Sequence, residues 1–150
     1  MVFSDILAPS SILVPLPAAS REAAISALVE ALNLPTTADR DQLKAAILAR
    51  EAIGSTGLGN GIAIPHARSP RLTSPRLSIG RTAAPIEFNA ADGKPVGLFF
   101  LLAVPEANPT SHLKALAALS RIASDKKLLR GLMRASSAGE LLQLVADLPI

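Results

Sequence analysis

The chain has 150 residues, long enough for one domain with a proper core, and its 49% apolar and 18% charged residues are a globular rather than a disordered balance. Four Phe with no Trp or Tyr, and a net charge of only +3 spread along the chain, argue against a nucleic-acid platform that stacks bases on rings. The absence of Cys removes disulfides, thiolate catalysis and zinc–thiolate sites.

In chain order, Asp5 and Pro9 stand where a secretory leader needs a basic start and an apolar core. Ile12-Leu13-Val14 reads as a strand. Ser20 then caps a helix whose apolar face is Ala23, Ala24, Ile25, Leu28, Val29 and Leu32, ended by Asn33 and Pro35. Asp39 is the expected cap of a second helix running to Ala52, with Arg50 in its last turn and Gly54 stopping it. Four glycines (Gly54, Gly57, Gly59, Gly61) follow, interleaved with Ser55, Thr56 and Asn60, before the short strand Ile62–Ile64 and the pair Pro65-His66.

Ala67 to Pro75, rich in Pro, Arg and Ser, is expected to be a loop leading to a strand at 77–81, and its arginines to be solvated. Ile86–Phe88 is a short extended piece before the turn 91–94. Val96–Val104 is apolar throughout without alternation, the pattern of a central strand covered on both faces. That run is about half of the ~20 residues a membrane-spanning helix needs. Thr110 or Ser111, Asp125 and Ser137 then cap three helices carrying Leu113 to Ala123, Leu128 to Met133 and Leu141 to Val145. Helices mixed with a doubly covered strand predict a three-layer α/β fold, with residues 1–150 as a single domain. No internal repeat is visible, and the expected protein is soluble, cytoplasmic and not membrane-embedded.

The glycine run excludes two nucleotide motifs by its order. A phosphate-binding P-loop needs Gly-Lys-Ser/Thr opening a helix, and a dinucleotide fingerprint needs strand, glycines, then helix. Here a helix precedes the glycines and a strand follows them, so no helix N-terminus receives the phosphate. No Gly-x-Ser-x-Gly elbow exists, and two isolated histidines lack metal-binding spacing, so no metal and no cofactor are expected. His66 at a strand end, His112 in the first turn of a helix, and the bidentate guanidinium of Arg50 could converge on a phosphoryl group. Taken singly, each is equally an ordinary structural residue, and spacing does not decide between the two.

The run Arg50-Glu51 … Gly54-Ser55-Thr56-Gly57-Leu58-Gly59-Asn60-Gly61-Ile62-Ala63-Ile64-Pro65-His66 resembles the phosphohistidine signature of the enzyme IIA domains of the bacterial phosphotransferase system, fructose/mannitol class. Ala84 to Phe88, Asp92 to Val96, Val104-Pro105 and His112-Leu113 fall in the same order as in that family, so the likeness covers essentially the whole chain. The Gly-Ser-Thr-Gly-x-Gly-Asn-Gly form of the loop is most similar to the nitrogen-regulatory branch, a free-standing domain without a permease. The resemblance implies a mixed β-sheet flanked by helices. It also implies a phosphoryl relay in which His66 becomes a tele-phosphohistidine, with His112 and Arg50 lining the site and Ser55 and Thr56 adding phosphate-positioning donors. The implied donor is a phosphocarrier of the HPr or NPr type, and charge and location make the apolar and basic rim near Leu58 and Arg68 the expected docking place of a partner that senses the added phosphoryl charge. Downstream stand regulated proteins or, as the alternative, an enzyme IIB domain of a sugar permease. The protein itself is expected to be a monomer or weak homodimer.

Overall fold

Six strands form one mixed sheet between two helical layers in the computed structural model, which describes residues Met1–Ile150. After two short 3-10 turns come β1 (Ile12–Leu16), α1 (Arg21–Glu30), α2 (Thr37–Ile53), β2 (Gly57–Gly59), β3 (Ile62–Ala63) and β4 (His66–Ser69). The chain continues through β5 (Arg76–Ile86), β6 (Val96–Pro105), α3 (Pro109–Ser124), α4 (Lys126–Arg134) and α5 (Ala138–Val145). The sheet order is β1-β5-β6-β3-β2. Beyond β3, β4 pairs with the same edge of β6 in parallel, matching His66 with Leu102 and Arg68 with Val104.

The unbroken apolar run of β6 is explained by its coverage. Leu98, Phe100, Leu102 and Val104 enter a core with α3, α4 and α5, while Val96, Phe99, Leu101 and Ala103 enter a second core with α1 and α2. Side chains alternate across a strand, so one strand feeds both layers. Each fully buried Leu or Phe there contributes about 1.5–3 kcal/mol of transfer free energy, which makes β6 the centre of the fold.

Side-chain oxygens cap the helices as the sequence predicts at Ser20, Asp125 and Ser137, which accept the N–H groups of Ala23, Leu128 and Glu140. Two caps fall elsewhere. Thr36 rather than Asp39 caps α2, accepting the Asp39 N–H at 3.1 Å and leaving Asp39 in the first turn, where its charge suits the helix dipole. Asn108, one residue before Pro109, caps α3 in place of Thr110 or Ser111 and accepts the Ser111 N–H.

Three extended segments also differ from the sequence reading. Gly57–Gly59 pairs antiparallel with β3, because the turn between them folds the glycine run back on itself. The segment expected to be a loop from Ala67 onward instead opens with β4, drawn into order by the edge of β6. The strand expected at 77–81 runs on to Ile86, through an irregularity between Arg81 and Ile86.

Candidate functional site

The site is built from the end of α2. Glu51, in the last turn, is only 3% exposed, a costly position for a carboxylate unless its oxygens find donors. Both do: Thr56 donates its N–H at 3.1 Å and its hydroxyl as well. Ser55 donates its hydroxyl to the Phe88 carbonyl at 2.8 Å and accepts the Gly57 N–H at 3.0 Å. The hydroxyls of Ser55 and Thr56 are therefore engaged inside the loop, and Thr56 itself is buried. Arg50 donates to the Gly54 carbonyl at 2.8 Å, tying the loop to the helix from which it emerges.

Gly57 is needed for close approach: a Cβ there would lie 2.7 Å from Ala90 Cβ and 2.8 Å from Ala90 Cα. Gly59, Asn60 and Gly61 have φ of 97°, 57° and 79°, the left-handed turn that reverses the chain from β2 into β3. Asp92 braces that turn, accepting the Asn60 N–H at 3.2 Å and the Lys94 N–H at 3.0 Å. These backbone bonds, Lys94 first, hold its carboxyl below the usual carboxylate range.

The decisive detail follows at Ile64-Pro65, where the parallel run along β6 is interrupted between β3 and β4. Pro65 has no N–H to donate, and the Ile64 carbonyl turns to the His66 ring, 2.8 Å from Nδ1. A carbonyl only accepts, so Nδ1 carries the hydrogen, and of the two neutral tautomers this bond selects the one with the lone pair on Nε2. The half-buried imidazole is thus held by its Nδ1 against the backbone.

His66 and Arg68 lie on the face that Leu102 and Val104 share with α3, whereas Ala67 packs on the opposite core. His112, in the first turns of α3, meets His66 from that side. Their ring centroids are 5.6 Å apart and the planes tilted by 54°. His112 Nδ1 is buried without a partner, which leaves Nε2 as the nitrogen open to the site. Burial, then the neighbouring His66 and Arg68, push the His112 pKa below its ordinary 6.5, so the ring is neutral at pH 7. The structure therefore brings His66 and His112 together, while Arg50 comes from the α2 layer and is bonded to the loop. One contributor escaped the sequence reading, buried Glu51, which anchors the glycine run; Arg68, expected on a docking rim, also shares the face of His66, a place that follows from i, i+2 spacing once β4 is read as a strand. No group of three His, Asp or Glu side chains is placed to hold a metal ion.

The class is a three-layer α/β domain in which one imidazole, bonded through Nδ1 to a backbone carbonyl, faces a second, neutral one. The chain belongs to the family described as "Phosphoenolpyruvate-dependent sugar phosphotransferase system, EIIA 2", which it matches over residues 5–147. It is 36% identical to the nitrogen regulatory protein of Bradyrhizobium diazoefficiens over 149 residues, covering 99% of this chain and 97% of that one. It is also 36% identical to the fructose-specific EIIA component of Haloferax volcanii, covering 87% and 86% of the two chains. The crystal structure of nitrogen regulatory protein IIA-Ntr from Neisseria meningitidis superposes with a TM-score of 0.88 at 34% identity, covering 95% of this chain and 97% of that one. No helix is long and apolar enough to cross a membrane.

Proposed function

We propose that the protein is a cytoplasmic phosphohistidine carrier of the nitrogen-regulatory type, accepting its phosphoryl group on His66 Nε2 from a phosphocarrier of the HPr or NPr type. The observation that carries this is the 2.8 Å bond from His66 Nδ1–H to the Ile64 carbonyl, which frees Nε2 for attack. In the step, the Nε2 lone pair forms the new N–P bond as the donor's N–P bond breaks. The donor imidazole leaves with the bonding pair. The Ile64 carbonyl stabilises the positive charge that the ring gains, and neutral His112 donates from Nε2 to a phosphoryl oxygen. Arg50, Ser55 and Thr56 act at one remove, by fixing the loop wall beside the ring. Leu58 and Leu113, 49% and 67% exposed, supply an apolar rim on which a carrier can dock.

Similarity to named nitrogen regulatory proteins over nearly the whole chain favours a regulator read by other proteins through its added charge. The fructose-specific relative supports a second reading, in which the group passes to an enzyme IIB domain and then to a sugar. Incubation with a labelled phosphocarrier should modify the wild type on His66 and leave His66→Ala unlabelled. Labelling of that variant at the wild-type rate would refute the assignment. Onward transfer to an isolated IIB domain would select the second reading.

A further inference from the structure

We infer that Arg68 is the residue that grips the phosphoryl group on His66, an inference that rests on His66 being the acceptor. The placement follows from β4: residues i and i+2 of a strand stand on one face, about 6.6 Å apart, within the span of an extended arginine. The pairing of His66 with Leu102 and Arg68 with Val104 fixes that face as the one covered by α3, where His112 stands. Arg68 is exposed and its side chain has neither a hydrogen bond nor an ion pair. The other arginines of this region are engaged: Arg50 with the Gly54 carbonyl, Arg71 with Asp39, Arg76 with the Leu32 carbonyl and Arg81 with the Leu132 carbonyl. The charge of Arg68 is also felt at His112, which places it within electrostatic reach of the paired rings.

With His66 Nδ1 bonded to the Ile64 carbonyl and His112 neutral, the rings offer one proton donor to a group bearing up to two negative charges, so the remaining equatorial oxygens need a cation. The free guanidinium supplies it, with a fork of donors matched to phosphoryl oxygens. The docking rim explains the exposure of Leu58 and Leu113, but it does not explain an uncommitted arginine on the same face as the nucleophile.

A small donor separates gripping from docking. Phosphoramidate transfers its phosphoryl group as its own N–P bond breaks, the amine leaving with the bonding pair and a proton from water, and no carrier surface is involved. Wild type, Arg68→Gln and Arg68→Lys would be labelled with phosphoramidate and, separately, with the phosphorylated carrier. Arg68→Gln should slow His66 labelling by about tenfold with both donors, equivalent to ~1.4 kcal/mol of transition-state stabilisation, and Arg68→Lys should recover part of the loss. In 31P spectra, the phosphoryl group on His66 should titrate at higher pH in Arg68→Gln than in wild type, because the cation favouring its dianion is gone. Loss of rate with the carrier alone would make Arg68 a docking residue and overturn the inference, as would unchanged rates with both donors. Absence of label on wild-type His66 with either donor would instead remove the acceptor, and the proposed function with it.

Discussion

Two glycines of the loop, only three positions apart, are held in place by different physics, and replacing each by alanine separates them. At Gly57 the new methyl would stand 2.7 Å from Ala90 Cβ and 2.8 Å from its Cα, against an optimal carbon–carbon separation of about 3.5–4.0 Å. Relief requires the 57 and 90 segments to part by about 1 Å. That opens the hydrogen bond from the Ala91 N–H to the Gly57 carbonyl, now 3.2 Å, beyond any useful length. An overpacking cost of about 1–2 kcal/mol and a lost bond of about 1 kcal/mol give roughly 2–3 kcal/mol. For a chain of this size that is a fall in Tm of about 4–12 °C. At Gly54 nothing lies within 4 Å of where a methyl would stand, and φ is 176°, extended backbone open to any residue. Gly54→Ala should therefore leave Tm unchanged or raise it slightly, by restricting the unfolded chain. Thermal unfolding followed by circular dichroism decides the matter. A Gly57→Ala Tm within a degree of wild type, or equal losses at both positions, would refute the close-approach argument.

Glu51→Gln keeps the volume but turns one of the two oxygens that accept from Thr56 into an amide NH2, which cannot accept. It should destabilise by about 1–2 kcal/mol, seen in urea unfolding as a lower midpoint with unchanged slope. Because the folded His112 binds its proton less readily than the unfolded chain, stability should fall as pH drops below about 6.5, where the unfolded histidine takes up a proton that the folded one refuses. His112→Gln should flatten that part of the stability–pH curve, and an identical slope in the variant would show that the penalty lies elsewhere.

The glycine-to-His66 signature and the doubly covered β6 were legible because each is a property of contiguous sequence: a dense left-handed turn and an unbroken apolar run. β4 was not. Its four residues include Arg68 and Ser69 in a Pro- and Arg-rich stretch, and only pairing with the edge of β6, 36 residues on (His66 with Leu102), makes them a strand. Missing β4 also hid that Arg68 shares a face with His66, since an i, i+2 argument has no meaning in a loop. Glu51 drew no separate reading, because its donors come from Thr56, five residues on and beyond the end of the helix. The α2 cap was misplaced for a local reason: Thr36 and Asp39 are both good capping residues in a chain that can start its helix at either, and the Asp39 N–H bonded to Thr36 settles it.

The interruption at Ile64-Pro65 has a consequence for how the chain matures. The locked tautomer needs the bend, the bend needs β3 and β4 both laid along β6, and the second imidazole arrives only when α3 folds back over that ladder. Those pairings join residues far apart in sequence, the kind that form late in folding. A partly folded chain thus carries both histidines but has no site. On the proposed phosphohistidine role, the paired rings are a certificate of completed folding, and a misfolded copy is excluded from phosphoryl traffic by its own geometry.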